Sequence, residues 1–390
     1  MLLSIVARPA RAQTETTLYQ FTCQNGNGCF PNAGVALDKK GNLYGTTSAG
    51  GAHYGGTVFK LTPSGTLTTL YSFCSATACA DGESPYGGVV LDSKGNLYGT
   101  TYDGGNDYNV GTVFMLTPSG TLTTLHTFCS VGAFCSDGYG LQAGVVLDKE
   151  GNLYGMTQGS GDCAFCGVVF KLTQSRTFTI LYTFTGGTDG SYPTAGVVLD
   201  KEGNLYGTTI YGGASNFGTV FKVAPSGTET VLHSFDSNGE DGFWPTGNVA
   251  LDKKGNVYGT TTFGGQLGVG TVFEVTASGT ESIFHSFAAG ADGFHPVAGL
   301  VFDKKGNLYG TTEYGGSSDF GTVFELTPDG VETILHSFVL NGTDGYYPLY
   351  AALSVDKSGN VYGTTQEGGS GSADCSSQYG GCGVVFKIVP

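Results

Sequence analysis

The chain has 390 residues, a formal net charge of −15, 67 glycines, 12% aromatic residues and only 13% charged ones. No apolar run approaches the ~18 residues of a membrane-spanning helix, and the acidic balance argues against nucleic acid and anionic membranes, which need clustered Lys and Arg. What is left is a turn-rich, all-β composition.

In chain order, Leu2 to Ala7 is a short apolar stretch and Ala10-Arg11-Ala12 looks like an A-x-A cleavage site. Residues 1–12 are therefore expected to be a signal-peptide remnant, with a start placed too far downstream and Gln13 as the mature start. Thr16 to Phe21 then reads as a strand. After it come seven copies of one phrase, from LDKKGNLYGTT (37–47) to VDKSGNVYGTT (355–365). Their aspartates, Asp38, Asp92, Asp148, Asp200, Asp252, Asp303 and Asp356, lie 51 to 56 residues apart, a period that fits propeller blades.

Residues 189–235 show one unit. Ala195 to Leu199 is a short strand, and Asp200-Lys201-Glu202-Gly203-Asn204 is a tight turn in which Asp caps backbone N–H groups. Leu205 to Thr209 is the second strand, Gly218 to Val223 the third, and Thr228 to Phe235 the fourth. The chain finishes on a third strand, Val384-Val385-Phe386-Lys387. Its missing fourth strand is Thr16 to Phe21, so residues 13–390 are predicted to close as a single seven-bladed β-propeller with no open sheet edge.

The ten cysteines form five close pairs: Cys23/Cys29, Cys74/Cys79, Cys129/Cys135, Cys163/Cys166 and Cys375/Cys382. Local disulfides imply an oxidising compartment, secreted or periplasmic. A redox or zinc role for Cys163-Ala164-Phe165-Cys166 is the rival, but no helix and no second such motif accompany it.

The segment GVVLDKEGNLYGTTIYGGASNFGTVFKVAPSG (196–227) resembles the GloVer tandem repeat of exported bacterial proteins, a likeness that runs from Phe21 to Pro390. It implies an exported propeller and brings no established activity. The LDxxGNLY core is also similar to NHL and gluconolactonase-like repeats. That similarity implies a metal in the central channel, but no residue here matches its ligand set one by one. The end at Pro390 carries no sorting segment, so release or periplasmic residence is expected rather than anchoring.

Symmetry separates structure from chemistry, because catalysis needs one constellation of unlike residues. His126, His233, His285 and His336 replace Tyr19, Tyr71 and Tyr182 in the fourth strand and read as packing; only His53 and His295 stand outside the pattern. No Ser or Cys nucleophile with a His partner can be assembled. A second recurrent pair is Asp-Gly, at Asp81, Asp137, Asp189, Asp241, Asp292 and Asp344, with Asn27-Gly28 in the first blade. It is either a turn that locks neighbouring blades or a ring of carboxylates at the channel mouth.

Strand polarity puts most lysines, such as Lys39, Lys94, Lys201 and Lys357, in the LD-x-x-GN turns at one end of the ring. The other end holds acids (Glu83, Asp103, Asp107, Asp162, Glu240, Asp319, Glu367, Asp374), aromatics (Phe30, Tyr86, Tyr139, Tyr192, Trp244, Tyr314, Tyr347) and every cysteine pair. Such a face suits carbohydrate, and could equally suit a basic protein or Ca²⁺; no other cofactor is expected. Blade three, with Met156-Thr157-Gln158, and blade seven, with its long Gln366–Cys382 loop, break the pattern. The expected function is a monomeric binding scaffold for a glycan or protein, with Asp189, Asp241, Asp292, Asp344, Tyr192, Trp244, His295 and Tyr347 as ligand-binding residues. The alternative is a polysaccharide- or lactone-active enzyme in which Glu83, His295, Trp244 and Asp374 converge on the channel.

Overall fold

The structure is a computed structural model, and it describes residues 14–390 except 25, 131–134, 161–162, 164, 239–240, 351, 371–374 and 376–379. The predicted leader and Asp162, Glu240 and Asp374 lie outside the described residues. Seven four-stranded antiparallel sheets form the blades of a β-propeller. In blade four the strands are Val198–Leu199, Leu205–Thr209, Thr219–Val223 and Glu229–Ser234, from the central channel outward.

The last blade is closed as the sequence predicts. Thr14–Gln20 pairs antiparallel with Val384–Val389, in a register running from Thr14 opposite Val389 to Gln20 opposite Val384. The missing fourth strand is thus supplied from the start of the chain, and the sheet edge at Val384–Val389 is covered.

The third strands carry the core. Each follows the pattern of Thr219–Val223, buried except at Lys222. The phenylalanine at its centre meets a second one just beyond the fourth strand of the preceding blade. The pairs Phe21/Phe59, Phe73/Phe114, Phe128/Phe170, Phe184/Phe221, Phe235/Phe273, Phe287/Phe324 and Phe338/Phe386 have ring centroids 5.0 to 5.4 Å apart and run right round the ring. Every blade is therefore bolted to the next by an edge-to-face pair of buried rings, worth about 0.5–1.5 kcal/mol beyond burial.

That core explains the glycine of the repeated NLYGTT. A Cβ on Gly207 would lie 2.8 Å from the Phe221 ring, and one on Gly259 only 2.4 Å from Phe273. The second strand stays smooth so that the ring can lie across it.

All ten cysteines are paired, as Cys23–Cys29, Cys74–Cys79, Cys129–Cys135, Cys163–Cys166 and Cys375–Cys382. Each of these predicted pairs closes a single loop at the aromatic end. No helix among the described residues is long and apolar enough to cross a membrane.

Candidate functional site

The turn end is chemically spent. Asp200 accepts from Glu202 N–H (2.9 Å), Asn204 N–H (2.8 Å), the Asn204 amide (2.7 Å) and the Tyr206 hydroxyl (3.2 Å). Burial raises its pKa, but these bonds outweigh burial and hold the carboxyl below its ordinary value. The same network recurs around Asp38, Asp92 and Asp356, which makes the turn Asp a cap, as the sequence suggests.

The Asp-Gly carboxylates sit on the outer rim, against the fourth strands, and so do not ring the channel mouth. Asp189 accepts from the Tyr182 hydroxyl (2.9 Å) and from Thr185 through its N–H (2.7 Å) and hydroxyl (2.6 Å). Asp241 lies 3.0 Å from His233 Nε2, Asp344 lies 3.0 Å from His336 Nε2, and Asp292 lies 3.8 Å from His285 Nε2. The physical reason is loop length: Asp-Gly follows the fourth strand so closely that its carboxylate folds back onto that strand. The fourth-strand histidines are correspondingly carboxylate partners as well as packing residues.

These pairs meet a glutamate from the next blade, which gives three clusters: His233/Asp241/Glu281, His285/Asp292/Glu332 and Glu15/His336/Asp344, with ligand atoms within 4.8 Å of one another. One imidazole and two carboxylates suit an N/O-seeking transition metal better than Ca²⁺, which takes six to eight oxygens. Burial and then nearby Asp241 raise Glu281 to about 7. Burial followed by Asp292 raises Glu332 to about 9, so that Glu332 is protonated at neutral pH.

At the other end, seven equivalent residues precede each blade's first strand: Phe30, Ser84, Gly140, Tyr192, Trp244, His295 and Tyr347. All have positive φ, from 53° to 72°. Their backbone ties blades together. Trp244 N–H donates to Phe217 O (3.0 Å) on the preceding blade, and Trp244 O accepts from Thr262 N–H (3.2 Å) on its own. His295 and Tyr347 repeat the pattern with Val269/Glu313 and Phe320/Gln366. The strained turn occurs in every blade and is architectural, but it fixes the direction of each side chain.

The result is an aromatic belt. Phe165, Tyr192, Tyr211, Trp244, Phe263, His295, Tyr314 and Tyr347 form an unbroken chain of ring contacts over blades three to seven, with successive centroids 4.6 to 5.9 Å apart. Tyr192, Trp244, His295 and Tyr347 are half-buried, while Phe165 (58%) and Tyr211 (38%) stand exposed. Burial lowers the pKa of His295, leaving a neutral ring at pH 7. The indole Nε1 of Trp244 is buried without a hydrogen-bond partner. Of the residues expected to form a site, the structure thus brings together Tyr192, Trp244, His295 and Tyr347, and not Asp189, Asp241, Asp292 and Asp344. Glu83 pairs with Asp103 in the loops of blade two.

Inside the belt opens a central cavity of about 570 Å³, lined by the first strands and by Asn32, Tyr86, Tyr102, Gln142, Thr194, Thr246, Asn248 and Tyr350. Among the described residues, no charged residue or histidine lines it. Burial raises the Tyr102 pKa, helped by Asp103 and by Tyr192, Tyr86 and Tyr139; burial with Glu313 and Tyr192 does the same for Tyr350. These phenols are hydrogen-bond donors at any physiological pH. Sequence reasoning missed this lining, although a signal exists: the residue six before each turn aspartate varies strongly within an otherwise repeated phrase.

These features define a seven-bladed β-propeller with a uniform turn end and a diversified aromatic end. The chain belongs to the Gloeobacter/Verrucomicrobia repeat family, whose repeat pattern matches residues 5–164 and 140–377. Among curated proteins, none matches the sequence. Solved structures share the fold at low identity. The extracellular domain of a candidate hybrid two-component system of B. thetaiotaomicron superposes with a TM-score of 0.57 at 14% identity, over 95% of this chain and 41% of that one. PorZ, a surface component of the type-IX secretion system of Porphyromonas gingivalis, gives 0.50 at 15% identity, over 91% and 46%. A gluconolactonase of Xanthomonas campestris gives 0.46 at 13%, over 96% and 89%. The chain thus spans about two fifths of the first of these and under half of the second.

Proposed function

We propose that the chain is an exported, monomeric binding scaffold that takes an extracellular glycan on its aromatic end. The observation that supports this is the belt from Phe165 to Tyr347, an unbroken row of ring contacts. Sugar C–H faces stack on such rings, while hydroxyls bond to nearby phenols and amides. Five disulfides support export, since they persist only in oxidising compartments, secreted or periplasmic. A binder is favoured over a lactone- or polysaccharide-active enzyme because the described residues of the cavity lining include no carboxylate, imidazole or ammonium to move a proton.

The test is a glycan array probed with the labelled protein, followed by calorimetry and a turnover screen on the hits. Trp244→Ala and Tyr347→Ala are expected to weaken binding by ~1–3 kcal/mol with an unchanged melting temperature. A Trp244→Ala protein that loses ~3–5 kcal/mol of stability while keeping its affinity identifies a wedge between blades and ends the idea. Turnover of a hit would favour the enzyme.

A further inference from the structure

The central cavity stands apart from the rest of the repeat. Counting six residues back from each turn aspartate gives Asn32, Tyr86, Gln142, Thr194, Thr246, Val297 and Tyr350. Six of these seven side chains can hydrogen-bond and are of four kinds, Asn, Gln, Thr and Tyr, and all seven residues line one cavity. Two residues further on, five blades have glycine (Gly34, Gly88, Gly144, Gly196, Gly299), whereas blade five has Asn248. Its Oδ1 accepts the Gly196 N–H at 2.5 Å across the blade boundary.

The polar groups of this wall fall into two sets. In the second strands, Thr46, Thr100, Thr260, Thr311 and Thr364 each donate to a backbone carbonyl of the adjacent blade, at 2.8 to 3.1 Å. Asn32 is different. It is 4% exposed, and both its Nδ2 and its Oδ1 lack a partner. Thr194 Oγ1 is likewise buried and unpartnered. A buried polar group without a partner is costly, and beside this cavity the unpartnered groups are the unlike Asn32 and Thr194 together with Thr208 of blade four's second strand, while the five threonines just named are satisfied.

We infer that the cavity receives a single uncharged sugar unit projecting from the bound glycan, with Asn32 as its reader. Four facts point to this chemical class. An amide with a free donor and a free acceptor matches adjacent ring hydroxyls. Thr194, Thr246 and Gln142 add further hydrogen-bonding groups, and Tyr86, Tyr102 and Tyr350 supply phenols and ring faces. No cation is among the described lining residues to hold a uronate, sulfate or phosphate. No carboxylate is among the described lining residues to hold an amino sugar or a metal; Asp103 and Glu313 are outside the lining, near Tyr102 and Tyr350. A site that hydrogen-bonds hydroxyls rejects ligands lacking them, because its own groups are then left unpaired. The inference rests on the reading of the aromatic end as a glycan surface and specifies where selectivity arises on it.

The test uses the full-length protein with cellohexaose, laminarihexaose and mannohexaose as neutral probes and a hexameric oligogalacturonate as the anionic one, all by titration calorimetry. At least one neutral probe should bind and the galacturonate at least tenfold more weakly. Asn32→Leu, close in volume and unable to hydrogen-bond, should lower the neutral affinity about tenfold or more while leaving the melting temperature unchanged or higher. Thr194→Val serves as the second variant if Asn32→Leu does not fold. Equal affinity of wild type and both variants, with Trp244→Ala weakened, would overturn the cavity and leave the belt standing. Equal or tighter binding of the galacturonate overturns the neutral class. Failure of every probe and of the array removes the glycan reading and this inference with it.

Discussion

The two ends of the propeller are built from the same backbone repeated seven times, and they treat side chains in opposite ways. At the turn end, Asp200 and Asn204 have counterparts in every blade, and their hydrogen-bonding capacity is used within the turn. At the aromatic end, the positive-φ residue before each first strand keeps its backbone bonds while its side chain changes from Phe to Ser, Gly, Tyr, Trp, His and Tyr. Architecture is carried by what repeats, and recognition is free to develop where repetition is confined to the main chain. Asn32 and Thr194 extend the contrast, as buried polar groups on the variable side that the fold leaves unsatisfied.

The most disruptive way to break this arrangement is to remove what both ends depend on, ring closure. Deleting residues 14–21 strips the strand paired with Val384–Val389 and the Phe21 ring that meets Phe59. The expected outcome is an exposed sheet edge, loss of the cooperative melt, and aggregation visible by light scattering. A monomer melting like the parent would show that closure is dispensable.

Next in size is one copy of the uniform end. Asp200→Ala removes the acceptor for four hydrogen bonds and should cost ~1–3 kcal/mol in urea unfolding, with ligand affinity unaltered. Because bonding depresses the carboxyl below its unfolded value, its contribution is present above that value and is lost as pH falls through the folded one. The parent should therefore lose more stability than the variant on acidification below about 4.

Legibility in the sequence follows the same division. Blade number, the closing strand, the disulfides and the turn caps could all be read, because each depends on residue types that recur or pair locally. The belt was half legible: Tyr192, Trp244, His295 and Tyr347 share a register, but Phe165 and Tyr211 join them only through loop folding. Asp189, Asp241, Asp292 and Asp344 could be seen to recur, yet which way their loops fold back is a tertiary matter. Asn32 lies in a variable position of the repeat, and its place beside the cavity depends on seven strands converging.

The rim glutamates give a smaller effect of opposite sign. Glu332 has its folded pKa raised to about 9, above an ordinary value of 4.5, by burial and then by Asp292. Its contribution is thus present at acid pH and lost as pH rises from about 4.5 towards 9. Glu332→Gln keeps the shape and cannot ionise. It should match the parent at pH 5 and melt a few degrees higher at pH 9. A variant that melts lower at pH 9 would show that Glu332 is ionised there and paired with His285.

The smallest expected effect tests the claim that the turn end does not bind. Lys201 is 83% exposed and its contact to Glu202, 3.4 Å away, is between two exposed side chains, so the pair is screened and contributes little. Lys201→Ala, alone or with Lys39→Ala and Lys357→Ala, should change stability by under ~0.5 kcal/mol per site. Glycan affinity should not move, since these side chains project from the opposite end to the belt. Salt titration sharpens the point: a neutral ligand held by rings and amides binds equally at low and high ionic strength, whereas a partner recruited by charge does not. A loss of affinity in the lysine variants, accompanied by salt dependence, would move the working surface to the turn end and reverse the comparison between the two faces.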